Sequence, residues 1–336
     1  MMKFSIILPV YNGGKYVKEC VSSILAQTRA DYNLLVLDNY STDGTLEYIS
    51  GLNDKRIIIY PSNKLLTLPL NWSRIKDIDK NEFITLIGHD DLLHPHYLQT
   101  MEDLIVKHPE ASLYQTHYKF INAKGEETGK CLPMTEVQYA HEFIAAHFTR
   151  TMNSMGTGYM MRSKDYDNLG GISPEYPNLI FADYVLWIDL SLLNYKATSF
   201  TEGFSYRLHA STSKLTGAQD YQEAFEKYIL FIKERAKQNT KINEVVERYG
   251  KEMLLYYCES LSHRLLKTPL IQRELKVRDF LEKCNHFAAL LIPGQSFEPM
   301  KNFRIKIARQ LDDYTVGRKL FNTYKKIQKT MFSKEQ

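Results

Sequence analysis

The residue pair best suited to chemistry in this sequence is Asp90-Asp91, which follows the apolar run Phe83–Ile87 after two residues. Two adjacent carboxylates repel each other, so the pair needs a compensating cation or hydrogen-bond donors. A divalent cation such as Mg²⁺ or Mn²⁺ prefers oxygen ligands and could hold a diphosphate at the same point. The pair therefore predicts a cation site. The alternative is that either aspartate only caps the helix that begins near Pro95.

Three other segments carry polar residues that could serve a ligand. Asp38 ends a second apolar run, where its carboxylate could accept a hydrogen bond from a nucleobase N–H or a ribose hydroxyl. Asp183 opens an otherwise apolar helix, where it could equally be a cap. Arg207 could pair with phosphate and His209 could ligate a metal, although both would also suit a surface loop.

Strand and helix signals alternate through the first two thirds of the chain, which predicts an α/β fold with a mostly parallel sheet flanked by helices. Apolar runs predict buried strands at Phe4–Leu8, Leu34–Leu37, Ile57–Tyr60 and Phe83–Ile87, with helices between them at Tyr16–Gln27, near Thr45–Ile49 and at Leu70–Ile78. Ligands of open α/β sheets bind at the carboxyl ends of the strands. We therefore expect the polar residues that follow the strands to share one crevice; they are Tyr11, Asn12, Asp38, His89, Asp90 and Asp91.

The later part of the chain changes character near residue 216. Before it, the pattern predicts strands at Ser112–Ile121 and Gly156–Met161 and helices at Thr135–Phe148 and Phe181–Leu193. After it, glycine and proline become scarce, and two long helices are predicted at Tyr221–Arg248 and Glu252–Leu266. We place a boundary near Leu215, with an α/β domain at 1–215 and a helical, basic region at 216–336.

Taken together, these segments resemble the inverting family 2 glycosyltransferases, which have the GT-A (nucleotide-diphospho-sugar transferase) fold. The resemblance covers roughly residues 3 to 213 and is carried by Ser5–Asn12, Ser22–Thr28, Asp38–Gly44, Asp90–Pro95, Gly170-Gly171 with Asp183, and Arg207-x-His209. The sequence departs from the family at Gly88, where many members have the first Asp of Asp-x-Asp-Asp, and at Ala182, where a Glu is usual. The common Asp-Asp-Gly-Ser is here Asp38-Asn39-Tyr40-Ser41.

The resemblance implies transfer of a sugar from a nucleotide diphosphate donor, a UDP- or dTDP-sugar, to an acceptor hydroxyl. It implies that Asp183 is the catalytic base, and that Asp90 and His209 hold a divalent cation, Mg²⁺ or Mn²⁺. The residues that it implies for donor binding are Pro9, Tyr11, Asn12, Asp38, His89, Asp90, Asp91 and Arg207. Residues Ser154–Gly158 are expected to line the sugar and acceptor pocket.

Charge is unevenly distributed along the chain, whose formal net charge is +4. Residues 301–336 hold ten Lys or Arg against three Asp or Glu, and the basic residues alternate with apolar ones. A basic amphipathic helix can lie among the headgroups of an anionic membrane, although an ordinary solvated helix face would look the same. By analogy we expect a glycan or lipid-linked acceptor in polysaccharide biosynthesis and a cytoplasmic protein in peripheral contact with the inner face of the cell membrane.

Other classes of protein fit the sequence less well. A nucleotide-binding dehydrogenase would need a GxGxxG turn after an early strand, and no such sequence follows the early strands here. Nucleic-acid binding is not expected, because no basic and aromatic platform occurs outside the C-terminal region. The remaining alternative is a non-catalytic module that binds a nucleotide sugar or polysaccharide on a degenerate GT-A fold, and Gly88 and Ala182 leave room for it.

Overall fold

The computed structural model describes residues 3–153, 155–208, 217–269, 273–319 and 321–323. The chain divides into two compact units, Met1–Lys214 and Leu215–Gln336. The predicted boundary near Leu215 and the predicted metal ligand His209 both lie outside the described residues.

The first unit is built on one sheet, which in the described part of the chain has ten strands. The strands are β1 (Phe4–Val10), β2 (Tyr32–Asp38), β3 (Ile57–Ile59), β4 (Phe83–Leu86), β5 (Leu92–Leu93), β6 (Leu113–Ile121), β7 (Glu127–Lys130), β8 (Val137–Gln138), β9 (Tyr159–Arg162) and β10 (Lys196–Arg207). The helices are α1 (Gly14–Leu25), α2 (Thr45–Gly51), α3 (Leu68–Ser73), α4 (Tyr97–Lys107), α5 (Ala140–Thr149), α6 (Ser163–Asn168) and α7 (Ala182–Leu193). Two 3₁₀ turns lie at Arg74–Asp77 and Pro177–Leu179.

The sheet is mixed, in the order β3-β2-β1-β4-β9-β6-β10-β5. The four strands from β3 to β4 are parallel neighbours, as are β6 and β10. Strand β9 runs antiparallel between β4 and β6, and β5, β7 and β8 add further antiparallel pairs. The parallel half places the ends of β1, β2 and β4 on one edge, where the polar residues were expected.

The strands that carry the polar loops are held in the buried core of the first unit. All seven residues of β1 are buried, as expected for a central strand that is covered on both faces. Helix α1 packs one apolar face inward through Val17, Cys20, Val21 and Ile24. Burying such a side chain contributes about 1.5–3 kcal/mol, so the strands that carry the polar loops are firmly held.

Two predicted elements of the first unit differ from the structure. The expected helix Thr135–Phe148 begins only at Ala140, because Val137–Gln138 pairs with β10 as β8. The Glu142 carboxylate accepts a hydrogen bond from the Tyr139 backbone N–H (2.8 Å), which fixes that start. The expected strand at Gly156–Met161 begins at Tyr159, because Gly158 has a φ of 80°, outside the extended conformation of a strand.

The second unit is helical, with α8 (Ala218–Gln238), α9 (Thr240–Lys267), α10 (Val277–Leu291) and α11 (Phe303–Asp312). The predicted interruption around Gly250 was wrong, since the break falls at Asn239. The Asn239 side chain accepts a hydrogen bond from the Ile242 N–H (3.2 Å) and so caps α9. Gly250 lies inside α9, where a Cβ would sit 3.1 Å from the Ile292 side chain, so glycine permits the close packing there. None of the helices in the described ranges combines the length and apolar character that a membrane span requires.

Candidate active site

The loops that follow β1 and β2 form one wall at the carboxyl edge of the sheet. The two strands are parallel and in register, with Val10 level with Asp38. The Asn12 N–H donates to Ser41 Oγ (3.0 Å), and the Thr42 N–H donates to Asn12 Oδ1 (2.8 Å). These bonds cross from one loop to the other, so the end of each strand is positioned by the loop beside it.

Asp38 is buried at the base of this wall, with 1% of its surface exposed. Its Oδ2 accepts a hydrogen bond from the Ser41 N–H (3.1 Å). Its Oδ1 is buried and, among the described residues, meets no hydrogen-bond donor. A buried carboxylate oxygen without a donor is costly, and such atoms in folded proteins nearly always have a partner. A ligand that brings an N–H or O–H to Asp38 would satisfy it.

The other residues predicted for the donor on this side differ in their exposure. Pro9 is buried within β1, opposite Leu37, so it could offer a ligand only its backbone. Tyr11 is the first residue past β1 and is 43% exposed, while Asn12 is half-buried and bonded to the second loop. The exposed Tyr11 ring could thus stack against a flat ligand ring at the strand ends.

The Asp90–Asp91 turn follows β4 on the same edge. Asp91 is 2% exposed, and each of its carboxylate oxygens has a partner. The backbone N–H of Arg207 lies 2.9 Å from Oδ1, and the Thr157 hydroxyl lies 2.9 Å from Oδ2. Burial and the neighbouring Asp90 raise the pKa of Asp91 well above its usual range. Asp91 therefore anchors the turn, and Asp90 beside it is half-buried.

Gly88 explains how this turn accommodates two carboxylates. A Cβ at this position would lie 2.7 Å from Asp90 Oδ1 and 3.2 Å from Asp91 Oδ2. Both carboxylates thus lie over the glycine, and a side chain at this position would displace them. The half-buried His89 stands between Gly88 and Asp90 in the same turn.

Arg207 braces the turn from behind. Its side chain is fully buried, with Nε donating to the Asp90 carbonyl (2.7 Å) and Nη1 to the Asn122 carbonyl (3.1 Å). Its Nη2 lies 2.6 Å from the Glu19 carboxylate of α1. These contacts fix the backbone of Asp90, which gives Arg207 a positioning role here. A contact between Arg207 and phosphate stays a prediction.

Asp183 lies in the first turn of α7 and is half-buried. Its Oδ1 accepts a hydrogen bond from the Tyr184 N–H (2.9 Å). Burial raises the pKa of this carboxyl to about 6, which suits a group that must take up a proton near neutral pH. A Cβ at Gly156 would lie 3.5 Å from Asp183 Oδ2, so the chain passes directly beside the carboxylate.

Residues Gly156 and Thr157 bring the two acidic sites together, since one lies beside Asp183 and the other bonds to Asp91. The pKa of the Tyr206 phenol responds to both acidic sites. Burial raises this pKa, and Asp91, Asp90 and Asp183 raise it further. Three of the predicted carboxylates thus raise the pKa of one hydroxyl. Tyr206 was not predicted, because no local pattern in the sequence indicates it.

A divalent cation needs several ligand atoms gathered around one point. In the ranges that the structure covers, no three His, Cys, Asp or Glu side chains gather around one point. The Asp90 carboxylate over Gly88 is the oxygen donor that the turn offers. Mg²⁺ is commonly held by one or two carboxylates and completed by water and substrate phosphates. Asp90 therefore fits a cation that binds together with a diphosphate.

Residues 5–170 match the model of Glycosyl transferase family 2. The chain carries a family 2 glycosyltransferase domain. The matched residues run from β1 to the end of α6, so they include Asp38 and the Asp90–Asp91 turn and end before Asp183.

Solved structures similar to this chain share its fold. Staphylococcus aureus TarS 1–349 in complex with UDP-GlcNAc has a TM-score of 0.63 at 16% identity, over 97% of this chain and 92% of that one. The mannosyltransferase PcManGT from Pyrobaculum calidifontis, in complex with GDP-Man and Mn²⁺, has a TM-score of 0.51 at 11% identity, over 96% and 87%. The family 2 domain therefore has the GT-A fold that its sequence predicted.

Curated relatives add one named activity. Escherichia coli WfgD, a UDP-Glc:alpha-D-GlcNAc-diphosphoundecaprenol beta-1,3-glucosyltransferase, is 25% identical over 211 residues, which are 62% of this chain and 78% of that protein. The chain spans about a third of the length of the first curated relatives that it matches.

Proposed function

We propose that this chain transfers a sugar from a nucleotide diphosphate donor to an acceptor hydroxyl, with inversion at the anomeric carbon. One observation carries the proposal: Gly156 and Thr157 join Asp183 to the Asp90–Asp91 turn. Sugar transfer needs a base on one face of the anomeric carbon and charge stabilisation on the other. The arrangement of these residues supplies a candidate for each.

The donor is proposed to be a UDP- or dTDP-sugar. Uracil and thymine present an N–H, which would satisfy Asp38 Oδ1, an atom with no donor in the described part of the chain, and their flat faces would lie against the exposed Tyr11. The complex of TarS with UDP-GlcNAc and the name of WfgD, which cites UDP-Glc, support a uridine donor.

Asp90 is proposed to hold the cation, with His209 as a predicted further ligand outside the described residues. The cation, Mg²⁺ or Mn²⁺, would supply positive charge that stabilises the departing diphosphate. The Mn²⁺ bound with GDP-Man in PcManGT supports this choice. Asp91, held by Thr157 and by the Arg207 N–H, keeps the Asp90 backbone in place.

Asp183 is proposed to be the catalytic base. Its carboxylate would take the proton of the acceptor hydroxyl while the acceptor oxygen bonds to the anomeric carbon. The bond from that carbon to the diphosphate oxygen breaks on the opposite face, and the electron pair leaves with the nucleoside diphosphate. Base catalysis of this kind contributes typically about 10²–10⁴-fold. The raised pKa of Asp183, about 6, supports this role at neutral pH.

The acceptor is proposed to be a glycan or lipid-linked sugar, which the name of WfgD supports. Helix α11 supports peripheral membrane contact, because Ile305 and Ala308 are buried while Phe303 is 72% exposed and stands beside the exposed Arg304 and Lys306. Sedimentation with phosphatidylglycerol vesicles, which should retain the full chain and release the Phe303→Ser variant, tests this contact. No binding to such vesicles would remove it.

Release of nucleotide from sugar donors tests the function itself. Purified protein is incubated with UDP-, dTDP- and GDP-sugars and Mn²⁺ or Mg²⁺, and free nucleotide is measured. We expect release from a UDP- or dTDP-sugar that stops when EDTA is added. Tight donor binding without release would favour the non-catalytic module, and no binding of any donor would reject the proposal.

A further inference from the structure

Tyr40 has a backbone conformation that large side chains rarely adopt. Its φ is 64°, in the left-handed region that favours glycine. A bulky residue with positive φ persists only where its surroundings hold it there, and such residues gather at functional sites. Glycine would adopt this φ without strain, so the backbone alone does not explain the tyrosine.

Hydrogen bonds on both sides hold Tyr40 in this conformation. The Asn39 amide accepts from the Leu66 N–H and donates to the Leu66 carbonyl, each at 2.9 Å. On the other side, the Ser41 N–H donates to Asp38. The flanking residues are thus fixed, yet the Tyr40 side chain is 52% exposed. Packing in the protein core therefore does not account for the ring.

The position of Tyr40 suggests what the ring contacts. Since Val10 is level with Asp38, Tyr11 and Tyr40 follow neighbouring parallel strands on adjacent, cross-linked loops. Both tyrosines are exposed, and the buried Asp38 Oδ1, which meets no donor among the described residues, lies at the base of the same loops. Two exposed aromatic rings beside an unpaired acceptor suit a flat heterocycle that carries an N–H.

We propose that Tyr40 is a nucleobase-binding residue which, with Tyr11, encloses the base whose N–H pairs with Asp38. This inference rests on the proposed function, because it takes the ligand to be a nucleoside diphosphate. Tyr40 contributes to affinity through its ring and occupies a position where glycine would relieve backbone strain. Removal of the ring should therefore weaken nucleotide binding without lowering the stability of the fold.

Three variants test the proposal by calorimetry with UDP and Mn²⁺. Tyr40→Gly removes both ring and strain, Tyr40→Asn removes the ring and tolerates the left-handed backbone, and Tyr40→Phe keeps the ring. We expect the first two to bind UDP about tenfold more weakly, equal to about 1.4 kcal/mol, and Tyr40→Phe to match the wild type. Neither Tyr40→Gly nor Tyr40→Asn should lower the thermal midpoint. Pyrophosphate, which lacks a base, should bind all four proteins equally.

The outcomes separate this inference from the function on which it rests. A loss of fivefold or more in UDP affinity that pyrophosphate does not share supports the role of Tyr40. A smaller loss, or an equal loss for pyrophosphate, overturns it and leaves the proposed function standing. Failure of the wild type to bind UDP, dTDP or GDP at all would remove both.

Discussion

The Thr157 hydroxyl lies 2.9 Å from Asp91 Oδ2, in a buried contact between segments 66 residues apart in sequence. The residue before Thr157 is Gly156, whose backbone runs beside the Asp183 carboxylate. Two consecutive residues therefore set the spacing between the turn proposed to hold the cation and the base proposed to activate the acceptor. Small changes at this link should affect catalysis more than they affect the fold.

Replacing Thr157 by Val should loosen the Asp90–Asp91 turn. The change keeps the shape but removes a hydrogen bond to a buried carboxylate, which costs about 1–3 kcal/mol of stability. We also expect Mn²⁺-dependent UDP affinity to fall several-fold. Thr198→Val is the matched control, since the Thr198 hydroxyl is buried and lacks a partner among the described residues. Equal effects of the two substitutions on urea unfolding and UDP binding would contradict this prediction.

Replacing Asp183 by Asn should separate activity from stability. We expect turnover to fall by about 10²–10⁴-fold, as is typical when a general base is lost, with UDP binding near normal. The folded pKa is raised from 3.8 to about 6, so ionisation costs stability as pH rises through this window. At pH 7.5 the variant should therefore be more stable, by roughly 1–2 kcal/mol after allowance for partial exposure. Unchanged turnover would reject the base assignment.

The pH profile of kcat/KM gives a second test of Asp183, because this ratio reports the pKa of the free enzyme. A base acts only when ionised, so log kcat/KM should rise with unit slope below pH 6 and become level above it. The measurement uses donor and acceptor below their KM values, with Mn²⁺, between pH 5 and 8. A profile that stays level down to pH 5 would mean that the base is a solvated carboxylate with an ordinary pKa of about 4.

Lys196 should make stability depend on pH for reasons unrelated to catalysis. Its ammonium is fully buried, donates to Gln115 Oε1 (3.0 Å), and meets no carboxylate in the described part of the chain. Burial lowers its pKa from 10.5 to about 7, so between these values the unfolded chain binds a proton that the folded chain does not.

The free energy of unfolding should therefore rise by roughly 1–3 kcal/mol from pH 7.0 to 9.5. Lys196→Met should remove this rise, whereas the exposed control Lys124→Met should keep it. Urea unfolding across the pH range measures all three proteins. A rise that persists in Lys196→Met would assign it to another group.

Features set by nearby residues were predictable from the sequence. The end of β2 at Asp38 could be located because its apolar run is closed by this polar residue, whereas β1 was predicted to end at Leu8 and runs to Val10. The GT-A fold followed from the order of the motifs. The helix break in the second unit was predicted around Gly250, whereas the structure places it at Asn239, which caps the following helix, and accommodates Gly250 inside that helix beside Ile292.

Features set by distant residues could not be predicted. The guanidinium of Arg207 binds Glu19, 188 residues away, and nothing in either local sequence indicates the partner. The pKa of the Tyr206 phenol is likewise raised by carboxylates from two separate segments, the Asp90–Asp91 turn and Asp183. In the sequence, Gly88 is a departure from the Asp-x-Asp-Asp motif. In the structure, it leaves space for the carboxylates of Asp90 and Asp91, which a side chain at this position would displace.

The Mn²⁺ dependence of UDP affinity tests the central claim most directly, because it asks whether Asp90 meets a cation-bound diphosphate. Calorimetry is carried out in Mn²⁺ and in EDTA for the wild type, Asp90→Ala and the control Asp103→Ala, an exposed residue of α4. We predict that the wild type and the control bind UDP at least tenfold more tightly in Mn²⁺, and that Asp90→Ala binds equally in both. Wild-type affinity that is unchanged by EDTA, or full Mn²⁺ dependence in Asp90→Ala, would contradict the account.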